Sequence, residues 1–410
     1  MPNEKLVVAI MGTNSRGAEL ARNFARQEGC EVAVVCDVDE RAIAKGIEFV
    51  KQGQQKTPKG EKDIRKVLAM KDIDALVIAA PDHWHAPATI MACAAGKHVY
   101  VEKPCGHNPR EGEMCIDASR KFNKVVQMGN QRRSWNVLQE GIAALHQGEI
   151  GRVYFAKCWY ANGRQSIGHG KPAAVPKWLD YELWQGPAPR MAYRDNLIHY
   201  NWHWFWHWGT GESCNNGTHE IDIARWGLQA GYPTRVTSAG GRYAFADDWE
   251  TPDTQMATFE FEGSKLISWE SRSCAPQPVE GIGRGVQFFG ETGSLIVKDN
   301  NYTILDHKNK VVREVKDTVQ TNSIDKTGPG ERLDALHIQN FFDAIKDRSI
   351  KPNSDIDEGH KSVLLCHLAN IAYRTGRALK CNPRNGHILH DDEAMALWQR
   401  SYESGWMPEI

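Results

Sequence analysis

The amino-acid sequence predicts an α/β protein in two parts: a parallel sheet wound on both faces by helices, then a larger α+β unit with an open, mostly antiparallel sheet. Three observations carry this expectation. From Leu6 to Met128 short β-branched runs alternate with helix-period segments, the texture changes after Gly129, and 410 residues exceed the size of a single core.

Val7-Val8-Ala9-Ile10 and the runs Val32 to Val35, Ala75 to Ala79, His98 to Val101 and Val125 to Met128 read as strands, being brief and rich in β-branched residues. Helical stretches such as Ala18 to Gln27 and Pro87 to Ala95 lie between them, and this alternation calls for parallel pairing. A helix is expected from Trp135 to His146 and a strand from Val153 to Tyr160. A stretch dense in Trp, Pro, His and Gly then runs to Gly211. Strand-like runs follow from Arg235 onward, at Thr254 to Phe261, Lys265 to Ser273, Val286 to Phe289 and Ser294 to Val297. The link Glu262-Gly263-Ser264 is of hairpin length. Helices at Leu333 to Lys346, Asp357 to Leu379 and near Asp391 to Gln399 complete the chain, with the domains divided as 1–128 and 129–410.

Composition narrows the function. The chain is 41% hydrophobic and 25% charged with a net charge of −1, so it lacks the basic footprint of a nucleic-acid binder. No apolar run approaches the ~18 residues of a membrane span. Met1 to Lys5 lead straight into a strand, so a cytoplasmic location is expected, or a periplasmic one if an export signal has been removed. Ten scattered cysteines without a CxxC pair read as buried reduced thiols rather than a disulfide framework.

The first strand runs into Gly12-Thr13-Asn14-Ser15-Arg16-Gly17, a GxNxxG form of the dinucleotide fingerprint. Asn14 stands in for the middle glycine and tolerates a left-handed backbone better than most residues. Asp37 lies twenty positions beyond Gly17, where a carboxylate accepts hydrogen bonds from ribose hydroxyls and repels a 2'-phosphate. The expected cofactor is therefore NAD, ahead of NADP. Asp39 suits the cap of the helix opening near Glu40. The third run ends in Ala80-Pro81-Asp82-His83-Trp84-His85, which places Pro81 and His85 along the cofactor; the histidines fit a helix cap equally well.

Glu102-Lys103-Pro104 follows the fourth run. A lysine beside an oxidised nicotinamide is partly desolvated and repelled, which favours its neutral form and proton exchange with a hydroxyl. Spacing alone favours an exposed lysine paired with Glu102. In Gly209 to Asp222 a glycine-rich turn enters a helix, with His219 one turn from Asn215; the histidine reads as a proton relay or as a structural residue. Trp178, Trp202 and His203 belong to a tryptophan-rich stretch whose indole faces suit sugar rings, although core packing accounts for some of them. His203, His207 and His219 lack the carboxylate pattern of a zinc site, so no metal is expected.

Taken together, the glycine turn, Asp37, Ala80 to His85, Glu102-Lys103-Pro104 and Gly209 to Asp222 resemble the Gfo/Idh/MocA family of sugar and cyclitol dehydrogenases in order and spacing. The resemblance implies a Rossmann domain, then an open antiparallel sheet used for oligomerisation, and hence a homodimer or homotetramer. It implies that Lys103 and His219 meet the substrate hydroxyl while nicotinamide accepts the hydride, with Ser15, Arg16, Glu102 and Gln131 on the cofactor side. Many members carry aspartate where this chain has Asn215, which can orient a hydroxyl but not take its proton. The block Gly129 to Ser134 and the tryptophan-rich insertion look like a glycoside and disaccharide branch, with oxidation at C3 of a glucoside ring the implied reaction. A glycosidase using held NAD for transient oxidation and elimination, and a non-catalytic NAD sensor, are the alternatives; retention of Lys103 and His219 argues against the sensor.

Overall fold

The computed structural model describes residues 5–318 and 331–410. Six strands, β1 (Leu6–Met11), β2 (Cys30–Cys36), β3 (Lys59–Glu61), β4 (Ala75–Ile78), β5 (His98–Val101) and β6 (Val126–Met128), form a parallel sheet in the order β3-β2-β1-β4-β5-β6. The order reverses between β1 and β4, which opens a crevice at their carboxyl ends where such sheets bind ligands. β3 escaped the sequence reading because Lys59-Gly60-Glu61 is a short polar edge strand without apolar periodicity.

Helices α1 (Arg16–Arg26), α2 (Glu40–Lys51), α3 (Ile64–Leu68), α4 (Asp82–Ala94) and α5 (Pro109–Lys121) connect these strands. Their starts are written locally. Asp39 caps α2 by accepting from Arg41 N at 2.8 Å, Asp63 caps α3 from Arg65 N at 3.0 Å, and Asn108 caps α5 from Glu111 N at 3.1 Å.

After α6 (Asn136–His146) comes β7 (Val153–Ala161). The insertion that follows includes α7 (Tyr181–Gln185) and leads into α8 (Gly211–Asn215) and α9 (Gly217–Gly227). Eight further strands complete a nine-stranded sheet: β8 (Arg235–Gly241), β9 (Thr254–Phe261), β10 (Lys265–Arg272), β11 (Arg284–Gly290), β12 (Gly293–Lys298), β13 (Asn301–Asp306), β14 (Val311–Lys316) and β15 (Leu379–Lys380). The order is β14-β13-β12-β11-β7-β10-β9-β8-β15; β7 and β10 pair in parallel and the other neighbours antiparallel. The hairpin at Glu262 to Ser264 pairs Phe261 with Lys265. α9 lies on the inner face, so close that a Cβ on Gly227 would sit 2.3 Å from the Phe288 ring and one on Gly217 3.0 Å from Trp269.

The last helices are α10 (Glu331–Lys346), α11 (Ile356–Thr375) and α12 (Asp392–Met395). The packing crosses the sequence boundary at Met128 and Gly129. Ile338, Phe341 and Phe342 of α10 share a buried cluster with Phe24 of α1 and Tyr100 of β5. Asp334 accepts from Arg16 at 2.6 and 2.8 Å and from Asn23 at 2.9 Å. α10 thus covers one face of the parallel sheet, a long-range pairing that no local pattern announces. All ten cysteines are unpaired and nine are buried.

Phe341→Ala removes a fully buried ring from this junction and is expected to cost about 3–5 kcal/mol in urea unfolding. A second expectation concerns pH. Burial, ahead of neighbouring charges, lowers His83 and His367 to about 3 and His337 and His360 to about 4. The unfolded chain therefore takes up protons first, from about pH 6.5 downward. Stability is fully present above that pH and should fall progressively between about pH 6.5 and about 3, read as a declining urea midpoint.

Candidate active site

The turn after β1 is built for close approach. Gly12 takes φ 83°, and a Cβ there would stand 2.6 Å from Ala80 N, while one on Gly17 would stand 1.6 Å from Gly12 O. Asn14 keeps a negative φ, so the left-handed residue of the turn is Gly12 and the expected left-handed role for Asn14 is not used. Ser15 begins α1 without a side-chain cap bond, leaving its first N–H groups for phosphate. The Asp37 carboxylate accepts from Thr13 N at 2.6 Å and Asp39 N at 3.0 Å. Burial raises its carboxyl above the usual value, against these two N–H bonds. Gly12, Asn14, Asp37 and Pro81 line a cavity of about 180 Å³. These residues fit a dinucleotide: two glycines without room for side chains, a free helix start and a carboxylate at the ribose position.

A neighbouring cavity of about 420 Å³ shares Ser15, Ala80, Tyr200, Trp202 and His203 with the first, and brings in Lys103, Gln131, Asn215 and His219. Lys103 Nζ donates to the backbone oxygen of Asn215 at 2.7 Å and to its Oδ1 at 3.0 Å. The salt bridge between Glu102 and Lys103 that spacing suggested does not form. Glu102 instead accepts from Arg16 Nε at 2.9 Å. His219, only 7% exposed, makes no side-chain hydrogen bond to a described residue. Burial and then the charges of Lys103, Arg284, Arg132 and Arg16 push its imidazole well below the usual range. This environment favours the neutral imidazole, whose lone pair can accept a hydrogen bond from a hydroxyl.

Two expected site residues are placed differently. Trp178 lines neither cavity; its indole lies under the Arg41 guanidinium, 3.4 Å from the ring centroid, at the outer lip of the cofactor crevice. His85 lines the second cavity, but its ring nitrogens face the carbonyls of Pro104 at 2.6 Å and Ala80 at 2.7 Å. It braces two strand-end loops and offers no nitrogen to a ligand. His203 stacks on Trp202 with centroids 3.6 Å apart, and His207 turns away to Pro189 O at 2.8 Å. Among the described residues no three His, Cys, Asp or Glu side chains gather as a metal site requires.

Tyr200, Asn216 and Arg284 also line the second cavity and were not singled out in the sequence. Arg284 opens β11, far from every motif, so nothing local marked it. The tryptophan-rich insertion crosses the crevice. Glu40 N donates to Trp178 O at 3.1 Å, Asp180 N to Val38 O at 2.9 Å, and Trp84 Nε1 to Trp184 O at 2.9 Å. His199 Nε2 lies 2.8 Å from Asp39 Oδ2.

Comparison with known proteins identifies the family of both halves. Residues 6–130 match the family model described as oxidoreductase family, NAD-binding Rossmann fold, and residues 139–296 match the GFO/IDH/MocA C-terminal domain. A glycosyl hydrolase family 109 protein of Saccharopolyspora erythraea is 28% identical over 207 residues, 47% of this chain and 45% of that protein. An alpha-N-acetylgalactosaminidase of Shewanella oneidensis is 30% identical over 131 residues, 30% of this chain and 28% of its own length. The matches thus span less than half the length of either relative. Levoglucosan dehydrogenase in complex with NADH and levoglucosan superposes with a TM-score of 0.71 at 17% identity, covering 92% of this chain and 99% of that one, a likeness of fold. With a family model matched in each half, the chain belongs to the Gfo/Idh/MocA oxidoreductase family, an NAD-binding Rossmann domain joined to that family's C-terminal domain.

Proposed function

We propose that this protein is an NAD-dependent dehydrogenase that oxidises a secondary hydroxyl of a sugar or glycoside, at C3 of a glucoside ring, or reduces the corresponding ketone. The observation that carries the reading is the meeting of Lys103 Nζ, held by Asn215, with a neutral His219 in one cavity beside the dinucleotide crevice. NAD bound in that crevice supplies the hydride acceptor. Lys103 hydrogen-bonds the reacting oxygen and stabilises negative charge developing on it. His219 takes the hydroxyl proton as the C–H electron pair leaves as hydride, and returns it in the reverse direction. Asn215 orients the amine and cannot itself accept the proton. Tyr200 and the stacked pair Trp202 and His203 offer flat faces to a sugar ring.

The names of the relatives favour one second reading, a glycosidase in which transient oxidation acidifies a neighbouring C–H and permits elimination, with NAD regenerated in place. The two readings share Lys103 and His219 and differ in net redox change. An NAD-reduction screen across hexoses, inositols, glucosides and disaccharides, with the keto position read by NMR, tests the first. NADH absorbance followed alongside released aglycone separates it from the second: aglycone without NADH would replace the dehydrogenase reading.

Lys103→Ala should lower turnover about 10²- to 10⁴-fold while NAD binding, read by calorimetry, stays within a few-fold; undiminished hydride transfer would remove Lys103 from the chemistry. Asp37→Ala should weaken NAD by about 1.5–3 kcal/mol, the worth of hydrogen bonds to a charged group, and narrow the gap between NAD and NADP. Equal loss for both cofactors would show that Asp37 does not read the ribose.

A further inference from the structure

Glu212, on the turn of α8 that precedes Asn215, touches neither cavity, yet it is 2% exposed and sits at the centre of a polar cluster. Its carboxylate accepts from Arg164 Nε at 2.6 Å, Ser273 Oγ at 3.2 Å and Asn215 Nδ2 at 3.2 Å, and also from Asn216 Nδ2. Burial alone would raise this carboxyl, but the Arg164 charge and the hydrogen bonds hold it below its usual value. Glu212 is therefore an ionised acceptor that can only receive hydrogen bonds.

That fixes the side-chain amide of Asn215. One end of the amide faces a carboxylate and the other faces the Lys103 ammonium, 3.0 Å from Oδ1. Only one orientation satisfies both: Nδ2 toward Glu212 and Oδ1 toward Lys103. Turned over, the amide would set a donor against the ammonium and an acceptor against the carboxylate. Asn215 lacks the charge that an aspartate would use to hold a lysine, and it has no intrinsic preference between its two ends. The preference is imposed one helical turn earlier.

We propose that Glu212 is a positioning residue for the reactive amine, acting through Asn215: it pins the amide so that an oxygen always meets Lys103 Nζ. The same carboxylate holds Arg164, whose Nη1 donates to the Tyr200 hydroxyl at 2.6 Å. One buried charge thus sets both the amine and an aromatic wall of the cavity. The inference rests on the reading of Lys103 as the reactive amine.

Competitive labelling of Lys103 with acetic anhydride across pH, read by peptide mass spectrometry, reports the state of the amine without substrate or turnover. Glu212→Asp keeps the charge beside Arg164 but is one methylene too short to reach Asn215. It should shift the labelling profile of Lys103 toward lower pH and raise its labelling rate several-fold at pH 8, with circular dichroism unchanged. Made in an Asn215→Ala background, the same substitution should change the rate less than twofold, since its route to the amine is gone. Glu212→Gln gives a second reading and should shift the profile in the same direction. An unchanged profile in a folded Glu212→Asp protein, or an equal shift with and without Asn215, would overturn the proposal. Failure of the substrate screen with the labelling shift present would count against the dehydrogenase reading alone.

Discussion

The hydrogen bonds from Lys103 Nζ to the two oxygens of Asn215 join the loop after β5 to the end of α8, and they close the seam between the two sheets. A cation held in such a seam must find acceptors or leave it, because an unpaired buried charge is far more costly than a made contact is favourable. The loop carrying Lys103 and the helix turn carrying Asn215 are therefore held together by the same bonds that make the lysine chemically useful. His219 follows on the next helix, α9, facing the same space. Its neutrality is a consequence of position: surrounding cations and burial both oppose its protonation.

α9 is held in rotation by buried ion pairs on either side of His219. Glu220 accepts from Arg132 at 2.9 Å and from Arg284 at 2.9 Å, and Asp222 from Arg133 at 2.7 and 2.8 Å. Pairs of this kind add little net stability over a packed apolar core, yet breaking one leaves a bare charge at a cost of about 3–5 kcal/mol. Their effect here is directional. They tie α9 to the segment after β6 and to β11, so a helix from the second unit keeps its histidine aimed at the crevice of the first.

The tryptophan-rich insertion has two roles that composition could not separate. Trp184 and Trp208 pack edge to face at 4.8 Å in a small core of their own, and Trp178 anchors on Arg41. Trp202, with His203 stacked on it, faces the cavities. Packing and cavity lining are not divided between separate rings: Trp184 of the small core also lines the first cavity, and Trp202 packs against that same core.

The sequence by itself determined the parallel sheet, the dinucleotide turn, the helix cap at Asp39, and the motifs bearing Lys103, Asn215 and His219. Each is written in a local period, a turn residue or a fixed spacing, and such signals need no partner to be read. Tertiary structure alone decided the rest. The packing of α10 on the first sheet, the pairing of Glu102 with Arg16 rather than its neighbour Lys103, the displacement of Trp178 to the lip, and the arrival of Arg284 at the cavity all join residues far apart in the chain. Lys103 shows the division most plainly. Its place at a strand end was legible, but its partner stands 112 residues away, and only the folded seam made an oxygen of Asn215, rather than Glu102, the group that holds it.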